Sequence, residues 1–413
     1  MEELVAAVRR GDADEVRALL ESGAEPDTLD DGLPVLCRAV AAYDEPVAEA
    51  LLQAGADPLR RLPDASTPLL RAVDGGSHHM VYALASHRVP LPAPERDGLL
   101  ARARHWVETG VEAELRRLTG LTGPVERIRV EDDEVGCWCE QLTLGGLTVR
   151  DEHRAVLTSM EERYGIRTSF DELVARALAH PDRDHLVWFD VVFTLGRRVD
   201  EETWQWTRDL LNHPDRLHRL LAADILLFLI LGDFVAGRDP FWNRGRELVP
   251  WAEQEEDPEV LAIILQAMTH DSAPEIEAVG LAHLAHPDSR VRALVTDALR
   301  QSEDGRSLAS PESLTAVLTL ARDQDPGVRE AACRWLAHYR GREPEVGDAL
   351  VALTRDERQP IRICAVSGLA YRDDPRCVEA QHRIGPVGEE SRDDERLLDV
   401  WRYQRRQEAA EHS

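Results

Sequence analysis

Two internal periods run through this chain, and a sequence that repeats itself in this way is confined to stacked architectures. In the first part, Leu4, Leu36 and Leu69 open equivalent segments, at spacings of 32 and 33 residues. Ala7, Ala39 and Ala72 follow in register, each with a valine next to it (Val8, Val40, Val73). Gly23-Ala24-Glu25-Pro26 recurs as Gly55-Ala56-Asp57-Pro58. Each unit predicts a short helix, a turn, a second helix and an exit through a glycine able to take the left-handed conformation that ends helices.

The second period begins at about residue 165 and shows when one position per unit is aligned: Asp182, Asp215, Asp257, Asp288 and Asp325, with Arg358 in a sixth unit. Three residues further on stand His185, His218, Val260, Val291, Val328 and Ile361. From each an apolar stripe continues at helical spacing, as in Leu294, Val295, Ala298, Leu299 and in Ala331, Ala332, Trp335, Leu336. Aspartate at the N-cap accepts from free N–H groups of the first turn, and proline just after it loses no hydrogen bond, as in Asp257-Pro258 and Asp325-Pro326. A further helix-length segment precedes each aspartate, giving two helices per unit.

Composition narrows the function. The 413 residues carry a net charge of −28, and every basic residue is arginine. No lysine is present for a Schiff base or a phosphate loop, and such an acidic surface repels nucleic acid and anionic membranes. Direct nucleic-acid binding and membrane association are not expected. The scattered cysteines at 37, 137, 139, 333, 364 and 377 suggest reduced thiols. The start Met1-Glu2-Glu3-Leu4 has no signal-peptide character, and the run Ile225 to Leu231 is too short to span a bilayer. A cytoplasmic protein is the expectation.

The 32- to 33-residue period, the Thr67-Pro68-Leu69 start and the stretch LVAAVRRGDADEVRALLESGAEP resemble ankyrin repeats. The third unit departs from the pattern: Arg88 stands where a glycine exit belongs, and a degenerate helix pair over 98–119 follows. HPDSRVRALVTDAL and DPGVREAACRWLA resemble the short HEAT repeats of bacterial proteins. Together these imply an all-α helical-repeat solenoid. Its expected parts are ankyrin-type repeats over 1–119, a connector over 120–164 with a possible hairpin, HEAT-like repeats over 165–380, and a linker with a capping helix over 381–413. An insertion is expected near LGDFVAGRDPFWNRGR. In HEAT-like arrays, arginines placed like Arg219, Arg292, Arg329 and Arg362 form a ladder to acidic turn residues of the next repeat, so a structural role is implied here.

No zinc-protease helix, phosphate-loop glycine pattern or nucleophile elbow appears. Cys137-Trp138-Cys139 could offer a soft metal two ligands, but a structural zinc needs four. His78-His79, and His180, His213 and His286 before Pro-Asp, are expected at turns. No His-Glu pair of the kind that binds iron in some HEAT-like enzymes occurs. Catalytic residues, cofactors and metals are therefore all expected to be absent. Two surfaces are candidates for binding: the tips Asp30, Asp31, Arg60, Arg61 and Asp64, and the pair Trp204 and Trp206, one of which should be exposed. The reading is a monomeric, non-catalytic interaction scaffold for an unidentified protein partner, basic if the charge guides it. The alternatives are a HEAT-like lyase-type enzyme and an acidic nucleic-acid mimic.

Overall fold

The computed structural model describes residues 2–87, 91–132, 136–231, 244–269, 271, 273–299, 310–388 and 394–411. It is mostly helical and divides into two compact units, Met1–Leu195 and Gly196–Ser413. Arg88 and most of the expected insertion lie outside the described residues.

The first unit opens with three helix pairs: Glu2–Arg10 with Ala13–Glu21, Val35–Ala42 with Glu45–Gln53, and Pro68–Gly75 with His78–Ser86. Local chemistry sets their starts. Asp12, Asp44, Thr67 and Ser77 each accept a backbone N–H of the first turn, from Glu15, Val47, Leu70 and Met80. The first helices of the pairs stack on one another, and so do the second helices. Leu4, Leu36 and Leu69, with Ala7, Ala39 and Ala72, are fully buried between them. Small and branched residues alternate there, so the helices approach closely. A short ribbon, β1 (Leu29–Asp30) with β2 (Leu33–Pro34), bridges the first two pairs. The helices Ala93–Thr109 and Val111–Thr119 follow.

The connector holds more than a hairpin. β3 (Glu126–Asp132), β4 (Cys137–Leu144) and β5 (Leu147–Arg150) form a three-stranded antiparallel sheet. Gly145 and Gly146, both at positive φ (60° and 83°), make the two-residue turn between β4 and β5. Cys137 and Cys139 are buried on one face of β4, and Leu142 and Leu144 on the other. There Leu142, Leu144 and Val149 pack with Trp106 and Leu115. After the sheet, the helix His153–Arg163 buries Val156, Leu157 and Met160 in the core of the helix pairs. The sheet end comes so close to the third pair that a Cβ on Gly76 would sit 2.2 Å from the Arg150 carbonyl. Only glycine fits there, and its φ of 68° is left-handed as well. Helices Phe170–Leu178 and Leu186–Gly196, assigned by sequence to the second array, fall almost wholly within this compact unit.

In the second unit, Arg216–Leu231, Pro258–Met268, Ser289–Ala298, Pro326–His338 and Gln359–Tyr371 pack each on the next. A second row (Glu201–Leu210, Pro274–Ala282, Pro311–Leu320, Pro344–Leu353) lies against them. The last helix, Asp399–Glu411, packs on Gln359–Tyr371 through Val400 and Tyr403, while Leu398 and Trp401 face solvent. Among the described residues, no helix is long and apolar enough to cross a membrane.

Candidate functional site

The aligned arginines occupy one geometry in four of the inter-helix turns of the second unit. Arg219 donates through Nε and Nη2 to Glu255 (2.8 and 3.0 Å), and Nη1 reaches the carbonyls of His213 and Pro214. Arg292 does the same with Asp323 (2.8 Å twice) and the carbonyls of His286 and Pro287. Arg329 pairs with Asp356 (2.7 and 3.3 Å) and reaches the carbonyls of Asp323 and Gln324. Arg362, last in the series, holds the carbonyls of Asp356 and Glu357 and spends Nη2 on the Ile384 carbonyl at 3.0 Å. A forked guanidinium can bind a carboxylate with two N–H groups and still satisfy carbonyls with a third. These arginines are thus committed within the molecule. Asp215, Asp257, Asp288 and Asp325 accept first-turn N–H groups. Asp182 instead closes a turn ahead of its helix by accepting from Asp184 N–H.

His185 takes the capping role there, and it belongs to a buried cluster that sequence reasoning missed. Its Nδ1 accepts the Val187 N–H at 3.2 Å, so the proton of the neutral ring sits on Nε2, 3.3 Å from Asp151 Oδ2. His180, stacked on His185 at 4.1 Å, faces Arg154 with Nε2 and Asp151 with Nδ1, at 3.5 Å each. An arginine can only donate, so His180 too turns an N–H toward Asp151. Burial pushes the His180 pKa down to about 4, and the ring stays neutral. Burial works against the Asp151 charge, but the hydrogen bond from His185 and the nearby rings outweigh it and lower its pKa. Three ligand-type atoms lie within 4.8 Å here, yet both imidazoles present hydrogen to the shared space. A divalent ion needs lone pairs there. The half-exposed trio His213, Asp215 and His218 has the same defect, because His213 Nδ1 accepts the Asp215 N–H at 3.1 Å. Cys137 and Cys139 are buried, and burial raises the Cys139 thiol pKa, which disfavours the thiolate a metal needs. Trp138 sits between them, with Arg129 over its ring at 4.4 Å and His185 against it edge-on. Contiguous Asp151-Glu152-His153 at a strand end was the signal available for this cluster. His78 heads the helix His78–Ser86, donates its backbone N–H to buried Glu152 at 2.6 Å, and has Nε2 3.6 Å from buried Asp190.

The expected binding residues are corrected in part. Trp204 is fully buried, donates Nε1 to Glu247 at 3.1 Å and lies under Arg244, so it has no surface to offer a partner. Trp206 is partly exposed. Asp30 is not an open tip: it is buried and accepts from Arg9 and Arg38. Asp64 accepts from Ser66 and Arg71, and Ser66 above all holds its pKa down to about 2. Arg60 reaches the Asp27 carbonyl at 3.3 Å. Asp31 and Arg61 do project into solvent.

A groove forms instead along the first helices of the pairs. It encloses about 420 Å³ between Val35–Ala42, Pro68–Gly75 and Ala93–Thr109 on one side and the β4–β5 turn on the other. Tyr43 spans it, donating to the Gly75 carbonyl at 2.9 Å under the Arg150 guanidinium. Asp74 accepts from Trp106 Nε1 at 2.8 Å and from Arg102. The rim is apolar and open: Leu118 is 43% and Leu147 37% exposed, with Leu121 beside them against the turn. These residues come from segments far apart in sequence, and none belongs to a motif.

Residues 303–370 match the family model for HEAT repeats. No curated protein matches the chain. The X-ray structure of YibA from Escherichia coli is similar, with a TM-score of 0.43 and 16% identity over 59% of this chain and 97% of that one. The family match over 303–370 gives the chain HEAT-like repeats within its second unit.

Proposed function

We propose that the protein is a non-catalytic, monomeric interaction scaffold of the cytoplasm, and that its first three helix pairs are ankyrin-type repeats. The observation that carries this reading is the exposed rim of Leu118 and Leu147 over the 420 Å³ groove. Apolar side chains gathered at a groove mouth mark a contact surface. A partner segment would place an apolar side chain in the groove, with its polar neighbours meeting Arg71, Asp74 and Arg102. The net charge of −28 favours a basic partner. Commitment of the arginines and histidines to internal hydrogen bonds supports a scaffold over a lyase.

The test compares full-length protein with Leu147→Glu as baits for affinity capture from the native organism. A partner held by the wild type and lost by the variant, with circular dichroism unchanged, supports the groove. A partner retained equally by both places the binding surface elsewhere. Turnover of a substrate that depends on His180 or Asp151 would overturn the non-catalytic reading.

A further inference from the structure

A second cavity, of about 600 Å³, opens in the HEAT-like unit and has a character opposite to the rest of the chain. It is lined by the ends of two adjacent helices and the turn after the first of them: His338, Tyr339, Arg340 and Arg342, with Tyr371 and Arg372. Arginines elsewhere in this unit mostly face carboxylates, as the ladder does. Arg342 is exposed and has no hydrogen-bond or ion-pair partner among the described residues. Arg372 is held by backbone alone, the carbonyls of Tyr339 (2.9 Å) and Glu343 (3.4 Å), and hydrogen-bonds no carboxylate among the described residues. Burial lowers its pKa, against the opposing pull of the nearby Glu343 and Asp374. The carboxylate on the lining, Asp373, is drawn toward Arg406 at 3.1 Å. Glu343 accepts from the Tyr339 hydroxyl at 3.2 Å.

Both helices end at this rim, and their terminal carbonyls carry partial negative charge. Arg372 meets that charge at one point, the Tyr339 carbonyl that closes the first helix, while the Glu343 carbonyl it also holds precedes the next helix; Arg342 stays available. An exposed aromatic lies alongside: Tyr371 is 59% exposed, with the His338 ring 6.1 Å away. Cations fit phosphate, and an open tyrosine face fits a planar base. The volume suits a small molecule rather than a folded partner.

We propose that this cavity binds a nucleoside phosphate, with Arg342 and Arg372 on the phosphate and Tyr371 stacked on the base. The site is independent of the groove in the first unit. In a chain this acidic, a small anion is repelled from most of the surface and has few other places to settle.

The experiment titrates the full chain with AMP, pyrophosphate and adenosine by isothermal calorimetry, together with Arg342→Ala and Tyr371→Ala. Both side chains are exposed, so both variants should fold, and circular dichroism checks this. AMP should bind saturably. Arg342→Ala should weaken AMP and pyrophosphate alike, by about tenfold or more. Tyr371→Ala should weaken AMP and spare pyrophosphate. Absence of saturable AMP binding overturns the proposal, and so does equal AMP affinity in Arg342→Ala. AMP affinity unchanged in Tyr371→Ala removes the base from the site. Binding of a glutamate-rich peptide in place of AMP would make it a peptide site instead.

Discussion

Replacing Arg292 by methionine keeps the aliphatic stem and deletes the fork. The lost contacts are two bonds to Asp323 at 2.8 Å and two to the carbonyls of His286 and Pro287. Exposed ion pairs contribute about 0–1 kcal/mol, whereas removing one member of a buried pair costs about 3–5 kcal/mol. The side chains here are 13% and 12% exposed, near the buried end, and Asp323 keeps one bond, from the Asp325 N–H. A cost of about 2–3 kcal/mol follows. Urea denaturation of the full chain measures it, and hydrogen exchange over 289–298 locates it. Adding Asp323→Asn removes the stranded charge while keeping an acceptor for the Asp325 N–H, and should recover about 1 kcal/mol. The pH dependence has a definite sign. The Arg292 hydrogen bond is the main cause of the lowered Asp323 pKa. The pair's stabilisation is therefore fully present above the unfolded carboxyl value of about 4 and is lost as pH falls through the lower folded value. The gap between wild type and Arg292→Met should narrow below about pH 4. A cost under about 0.5 kcal/mol, or a double variant worse than the single, would refute the argument.

Asp325→Ala should cost about 1 kcal/mol in thermal melts, since it strips an acceptor from the Gly327 and Val328 N–H groups. Gly368→Ala should destabilise by about 1–3 kcal/mol in the same assay, because the new Cβ would lie 2.7 Å from Ala337 Cα on the neighbouring helix. Burial lowers the His153 pKa to about 4. The unfolded chain then binds more protons than the folded one, so stability should decline as pH drops from about 6.5 to about 4, and His153→Gln should flatten that slope in melts run across the range. Equilibrium dialysis with zinc should find no ion bound at Asp151, His180 and His185; a stoichiometric zinc abolished by Asp151→Asn would contradict the tautomers assigned there.

Much of the fold was legible because each repeat carries its own local instructions. The capping aspartates and apolar stripes of the second period act within one turn, and sequence spacing reports on one turn well. The ladder was also half written. An arginine after the aligned position goes with an acid two residues before the next one, as in Arg292 with Asp323 and Arg329 with Asp356. The binding surfaces were harder to read. Two tryptophans at i, i+2 must point differently, but only Glu247, far along the chain, decides that Trp204 is the buried one. Asp30 looked like a solvated turn until Arg9 and Arg38, from two different helices, closed on it. The groove joins Tyr43, Trp106 and Leu147 across the sheet, whose docking no periodicity encodes. The Asp151 cluster likewise depends on β4 and β5 delivering a carboxylate to a helix start.

One interruption in the ladder has a mechanical consequence. Between the helices Pro258–Met268 and Ser289–Ala298, Leu261 stands where an arginine would start a rung, and the receiving position is His286, which spends Nδ1 on the Asp288 N–H. In a linear array each repeat is stable only through its neighbours, and weak couplings set where the array divides. The joint at Leu261 and His286 lacks the ion pair that ties the other rungs and rests on apolar packing such as that of buried Leu261. Fraying that begins at the carboxyl-terminal end should run through the rungs of Arg329 and Arg292 as one block and halt there. The upstream helices, tied by Arg219 to Glu255, would stay closed as a separate block.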